Sequence, residues 1–206
     1  QVHSFDYDPQ SVSCTQQLKA KYHPDDELWQ VERGSALDGE YLASLGCFDI
    51  VYSWGVLHHT GDTWSAFAGA APLVKDGGTL YLAIYNDEGW KSRFWYRVKR
   101  AYCRNFLTRG GVVTVFIPYY FAKAILKSVY KRENQFNGNT SYRGMSIYYD
   151  WLDWLGGFPF EVAKVEEMWD FFKQRGFVLE KLKTTNTEGN NELVFNRKSS
   201  PGAIEG

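Results

Sequence analysis

The segment Phe48–Trp54, FDIVYSW, runs largely apolar until it breaks at Gly55, ahead of Val56-Leu57-His58-His59. A short run of this kind, without helical periodicity, predicts a strand buried on both faces, the environment of a parallel sheet. Parallel neighbours need a crossover connection between them, so helices must precede and follow it. The flanking sequence supplies both.

Val2–Tyr7 predicts a short strand ending at Asp8-Pro9, where Asp as N-cap and Pro at the first helical position start a helix reaching Tyr22. Trp29–Arg33 predicts a second strand and Leu37–Leu45 a short helix. Trp64, Phe67, Ala68, Ala71 and Val74 then recur at helical spacing, with a bend at Pro72. Asp76-Gly77-Gly78 stops that helix, and Thr79–Tyr85 is the next strand. Strand and helix alternating three times before a further strand predict an α/β fold with a doubly wound parallel sheet over residues 1–85. The pattern returns over 165–198, with a helix at Val165–Arg175 closed by Gly176 and strands at Phe177–Thr184 and Glu192–Arg197. Residues 86–164 read as a helical insertion (Trp90–Leu107, Val112–Tyr130 and Ile147–Leu155), and 199–206 as a flexible tail.

At 206 residues, 44% hydrophobic and 23% charged, the chain suits one globular α/β domain carrying an insertion. Cys14, Cys47 and Cys103 are odd in number and lack metal-ligand spacing, which argues against a disulfide framework and for a reducing, cytoplasmic setting. No metal site is expected. The longest apolar run, Gly110–Ala122, stops at Lys123 and is expected to be too short to span a bilayer. The chain opens on strand-like sequence without a signal-peptide pattern.

Ligands of open parallel sheets bind outside the carboxyl ends of the strands, so those ends are where chemistry is sought. Asp6 and Tyr7 follow the first strand. A carboxylate there can accept two ribose hydroxyls and an aromatic can cover an adenine; the competing reading is that Asp6 helps to cap the next helix. Gly34-Ser35-Ala36-Leu37-Asp38 follows the second strand, and reads equally as an adenine-edge loop or as a turn with Asp38 as N-cap. Trp54 and Gly55 close the third strand, where glycine lets a ligand approach the backbone. His58 and His59 are the side chains best suited to take a proton near neutral pH; either one, taken alone, reads as well as a structural histidine.

From Gly89 to Arg132 every charged side chain is Lys or Arg, among them Arg97, Arg100, Lys123 and Lys127, interleaved with aromatics such as Trp90, Trp95, Tyr119 and Tyr120. Solvated basic faces over an apolar core, a lid over an anionic or amphipathic acceptor, and docking on an anionic membrane surface all fit this pattern. Nucleic acid is not expected, because no recognised RNA module accompanies the charge. Arg143, Tyr148, Tyr149 and Asp150 are candidate acceptor-binding groups, or members of an aromatic helix seam.

Taken in order, VHSFDYDPQSV, GSALD, FDIVYSWGVLHHTGDTW and LVKDGGTLYLAIYN resemble the class I S-adenosylmethionine (SAM)-dependent methyltransferases, most of all their small-molecule, quinone-methylase-like branch. The closing GGFPFEVAKVEEMWDFFKQRGFVLEKLKT is similar to the C-terminal part of some members. The resemblance implies a Rossmann-like sheet and SAM as cofactor. It implies that Asp6 holds the ribose, Tyr7 packs on adenine, Ser35 and Ala36 meet its edge, and Trp54 and Gly55 border the methionine arm; the adenine reading of the GSALD loop adds Leu37 on the ring's face. It places His58 or His59 near the acceptor, and makes the insertion a substrate lid. Implied too is transfer to a small-molecule acceptor, at an oxygen of an anionic or amphipathic, quinol- or sugar-like compound. The expected setting is cytoplasmic, at times peripheral to a membrane, with homo-oligomers allowed. The family's first strand and glycine-rich loop have no counterpart here, so the chain resembles an N-terminally truncated member, and a non-catalytic remnant or binding module is the alternative. The expected neighbours of that strand, Val2–Tyr7 and Phe48–Trp54, would then pair directly or be covered by another chain.

Overall fold

The structure, a computed structural model, describes residues 1–132, 134, 136, 146–185 and 189–199. Its elements run β1 (Val2–Asp6), α1 (Pro9–Tyr22), β2 (Trp29–Arg33), α2 (Gly39–Ser44), β3 (Phe48–Trp54), α3 (Thr63–Ala70), β4 (Val74–Tyr85), α4 (Trp90–Arg104), α5 (Phe106–Lys131), α6 (Ile147–Gly156), α7 (Val165–Lys173), β5 (Phe177–Lys183) and β6 (Asn190–Arg197). They form two units, Gln1–Asn86 with Ala163–Gly206, and Asp87–Val162.

In the first unit the helices begin where side chains satisfy orphaned amides. Asp8 accepts the Gln10 and Ser11 N–H groups at 3.2 and 3.3 Å, Asp38 accepts that of Tyr41 at 3.0 Å, and Asp62 that of Ser65 at 3.0 Å. The strands make two sheets. β1 and β2 pair in parallel, in register from Val2 against Trp29 to Asp6 against Arg33. The other sheet has the order β3-β4-β6-β5, with β3 parallel to β4 and both later pairings antiparallel.

Of the two options for β1 and β3, direct pairing does not occur. Among the described residues β1 pairs only with β2, and β3 only with β4, so each keeps one unpaired edge. The starts of the two strands are nevertheless close, with the His3 and Phe48 rings 6.3 Å apart. Two further expectations are corrected here. β3 is covered on one face only: Ile50 and Tyr52 are 69% and 66% exposed, because the helices that shield this sheet, α3 and α7, pack on its opposite face. β4 starts at Val74, before the glycines expected to precede it. Gly77 has φ +76° and the β3 register slips between Phe48 and Ile50, so the Lys75–Gly78 stretch bulges without ending the strand.

The core lies on that shielded face. Leu80, Leu82 and Ile84 of β4 and Leu193 and Phe195 of β6 are fully buried against Ala66 and Phe67 of α3 and Met168 and Phe172 of α7. Phe172 is the hub, its ring 5.4 Å from Phe67, 5.6 Å from Phe177 and 4.8 Å from Phe195. On the outer face polar pairs replace packing. Glu192 accepts from the Tyr81 hydroxyl at 3.0 Å and from Lys183 Nζ at 2.9 Å. The lysine holds the Glu192 carboxyl below its usual range, while burial and the carboxylate push the Tyr81 phenol up.

In the second unit α4, α5 and α6 interlock through aromatic rings, Trp95 lying 5.5 Å from Phe116 and 5.7 Å from Trp154, and Tyr120 5.7 Å from Trp151. Lys99 is fully buried there, donating to the Trp154 carbonyl with its ammonium 3.9 Å from that residue's ring. α4 ends earlier than expected, because Asn105 turns to extended backbone and caps α5 by accepting the Thr108 N–H at 2.9 Å. Gly110 and Gly111 therefore lie inside α5. Its 26 residues are long and apolar enough to cross a membrane by length and composition, which corrects the reading of this stretch as too short.

Replacing Phe172 with Ala should cost about 3–5 kcal/mol in urea-induced unfolding. A loss below about 1 kcal/mol would mean that the ring cluster does not close the core. Because the folded Glu192 carboxyl has a lowered pKa, its contribution is present above the unfolded value near 4.5 and is lost as pH falls through the folded value. The stability difference between wild type and Glu192→Gln should therefore shrink between about pH 6 and about pH 3.

Candidate functional site

Three strands of the first unit present candidate residues at their carboxyl ends. At the end of β1, Asp6 Oδ1 accepts the Asp8 N–H at 2.8 Å while Asp8 caps α1, so Asp6 helps to fix the start of the helix, as one of its two readings had it. Asp6 is half-buried, and its second carboxylate oxygen has the lone pairs to accept hydroxyls. Tyr7 is 70% exposed. Arg33, which sequence reasoning passed over, steadies it: its Nε donates to the Tyr7 carbonyl at 3.1 Å and its guanidinium lies 5.3 Å from the ring.

At the end of β2, Ser35 folds the loop on itself. Its Oγ accepts the Leu37 N–H at 3.2 Å and its carbonyl that of Asp38 at 3.1 Å, which leaves the hydroxyl proton to donate. Ala36 packs against the main core and Leu37 lies exposed. The loop is held from both sides. A Cβ on Gly34 would fall 2.2 Å from the Tyr41 ring, and one on Gly69 3.3 Å from the Ala36 carbonyl. Tyr41 donates to Glu32 Oε1 at 2.8 Å, and burial followed by that bond pushes its phenol above the usual tyrosine range.

At the end of β3, Gly55 has φ +78°, a conformation side chains resist, and donates its N–H to the Ala83 carbonyl at 3.0 Å. A Cβ there would meet nothing within 4 Å, so the turn borders open space, with Trp54 at its side. A short 3₁₀ turn, Leu57–His59, then sets the two imidazoles apart. His58 is fully buried; its Nδ1 accepts the Tyr85 N–H at 3.4 Å and its ring lies 4.1 Å from the Tyr85 ring. His59 is partly exposed, 4.4 Å from His58 and 5.6 Å from Tyr85. The buried ring braces the end of β4, and the outer one keeps part of its surface exposed.

One feature of this rim gave no signal in the sequence. Buried Asn191 donates through Nδ2 to Asn86 Oδ1 at 3.1 Å, and Asn86 Nδ2 donates to the Thr185 carbonyl at 3.1 Å. Two asparagines far apart in the chain thus fasten the end of β4 to the start of β6.

Of the acceptor-binding candidates, Tyr148, Tyr149 and Asp150 lie in α6 of the second unit, the tyrosine rings 5.8 Å apart and both exposed. Arg143 lies outside the described residues. Among the described residues no group of three His, Cys, Asp or Glu side chains could hold a metal ion, and Cys14, Cys47 and Cys103 are free and exposed.

Residues 1–82 match a family model described as a methyltransferase domain. No curated protein sequence matches the chain. Among solved structures, it is similar to an O-methyltransferase family protein from Burkholderia thailandensis (13% identity, TM-score 0.52), covering 97% of this chain and 43% of that one. It is similar to the magnesium protoporphyrin IX methyltransferase of Synechocystis PCC 6803, solved with bound SAH (15% identity, TM-score 0.52), covering 96% and 64% respectively. A third is PKMT2 from Rickettsia typhi in complex with AdoHcy (11% identity, TM-score 0.60), covering 100% and 46%. The chain thus spans less than two thirds of the length of each.

The two histidines should separate on substitution. His58→Ala opens a cavity and strands the Tyr85 amide, so it should cost about 2–4 kcal/mol in chemical denaturation, whereas His59→Ala should cost less than about 1 kcal/mol. Equal losses would remove the distinction between a bracing and an available imidazole.

Proposed function

Because residues 1–82 match a family model described as a methyltransferase domain, we propose that this protein takes part in SAM-dependent methyl transfer to a small-molecule acceptor, at an oxygen of an anionic or amphipathic compound. The observation that carries the reading is the placement of Asp6, the Ser35–Leu37 loop and Trp54-Gly55 at the carboxyl ends of β1, β2 and β3, where parallel sheets bind ligands.

The residues present fit the adenosine half of the cofactor. Asp6 would accept the ribose hydroxyls, Tyr7 and Leu37 would pack on adenine, and Ser35 and Ala36 would meet its edge. Trp54 and the open turn at Gly55 would border the methionine arm. When bound, SAM supplies an electrophilic methyl group on a sulfonium. For an in-line displacement the chain's own task is to align the acceptor oxygen and exclude water. His59 takes the proton that an acceptor hydroxyl gives up, with His58 and Tyr85 holding its ring in place. A cytoplasmic setting suits three free cysteines.

A second reading, a nucleoside-binding remnant without transferase activity, is favoured by one observation. The unpaired edges of β1 and β3 are not bridged, among the described residues, by a strand whose loop could hold the methionine carboxylate. Calorimetric titration of the 206-residue chain with adenosine and with S-adenosylhomocysteine tests both. With contacts concentrated on the adenosine half, the two ligands should bind within about tenfold of each other. Asp6→Ala should weaken both by about 1.5–3 kcal/mol. Affinity unchanged by Asp6→Ala would remove the ribose assignment. Methyl incorporation into any acceptor would eliminate the remnant.

A further inference from the structure

α5 is apolar on two opposite faces. One is used inside its own unit, where Phe116 and Tyr120 meet aromatic rings of α4 and α6 and Ala124 is buried. The other is not. Val115, Tyr119, Ala122, Leu126 and Val129 follow one another at spacings of four, three, four and three, a straight stripe along the helix. All are exposed, Leu126 by 71% and Val129 by 73%, and 6% of the most apolar stretch of α5 is buried. Lys123 and Lys127 each follow a member of the stripe by one residue, about 100° round the helix, so an exposed basic row flanks it. Lys131 and Arg132 continue the positive charge at the C-terminal end, and Arg104 and Arg109 place it beside the N-terminal end.

We propose that this stripe docks on the surface of an anionic phospholipid bilayer, with α5 lying in the interface plane. The apolar stripe enters the acyl boundary, while the flanking lysine stems lie along it and carry their ammonium groups up to the lipid phosphates. Charge selects this occupant over a second copy of the chain. From Gly89 to Arg132 there is no Asp or Glu, so stripe-to-stripe pairing would set like charges together, whereas an anionic leaflet supplies the missing opposite sign. It also selects docking over spanning: Lys123 and Lys127 would fall within the apolar depth of a helix that crossed. The proposal stands apart from the methyl-transfer reading, since lipid binding is read without donor or acceptor.

The test is co-sedimentation of the full chain with phosphatidylcholine vesicles containing phosphatidylserine, and with vesicles of phosphatidylcholine alone. Binding should be at least tenfold tighter to the anionic vesicles and should fall sharply between about 0.05 and about 0.5 M salt, as screening shortens the reach of the charges. Lys123→Glu with Lys127→Glu should remove the preference for anionic lipid, and Leu126→Ser with Val129→Ser should weaken binding while circular dichroism shows the helices intact. No binding to anionic vesicles at low salt overturns the proposal. So does equal binding to both vesicle types. A dimer that sedimentation velocity detects in the wild type and not in the Leu126→Ser, Val129→Ser variant would make a second copy the occupant and would equally overturn it.

Discussion

The backbone ladder on β4 is the constraint from which the first unit is built. β4 takes β3 in parallel on one side and β6 antiparallel on the other, and β5 is held through β6. Buried amides and carbonyls need partners, so a central strand with a partner on each side fixes the register of both. That register puts Leu80, Leu82 and Ile84 on one face and Tyr81 and Ala83 on the other. The β3 side of the candidate site hangs from its end: the Tyr85 amide meets His58, the Ala83 carbonyl holds the Gly55 turn, and Asn86 is fastened to Asn191.

The same ladder explains why an α/β sheet tolerates open edges here. β3 is secured by β4 and by the core beneath it, so it keeps its shape with an edge that is unpaired among the described residues and an exposed outer face. β1 and β2 form a smaller sheet, secured by α1 and by a polar knot in which His3 Nε2 lies 3.0 Å from Glu32 and Glu32 accepts the Tyr41 hydroxyl. Each half holds its own strand-end residues in position. The adenosine-binding candidates sit on these rigid ends, and the His59 imidazole rests on a buried neighbour.

Where the chain carries its own punctuation, the fold was legible. Asp8-Pro9 marked the start of α1, and the apolar run of β3 stopped at Trp54 as read. Glycine misled at β4, because a bulge inside a strand and a loop before one use the same residues; contacts at Gly78, where a Cβ would lie 3.0 Å from the Asp49 carbonyl, decide between them. The burial of β3 was misjudged for another reason. Apolar composition says what a face prefers, and the helices that do or do not cover it lie elsewhere in the chain. Adjacent histidines look alike in sequence, and a single 3₁₀ turn sends one inward. The Asn86–Asn191 clamp joins residues too distant in the chain for spacing to relate them.

Asn86 and Ala163 bridge in parallel, and the Ala163 N–H donates to the Tyr85 carbonyl at 3.1 Å. The points where the chain leaves and rejoins the first unit are therefore neighbours, about one strand spacing apart. Loop-closure entropy grows slowly with length, so the sheet is nearly indifferent to how many residues pass between those points. The stretch from Asp87 to Val162 is in this sense a cassette. It can lengthen, shorten or change its surface chemistry without disturbing the β4 ladder, so that diversification of the helices and preservation of the strand ends proceed independently.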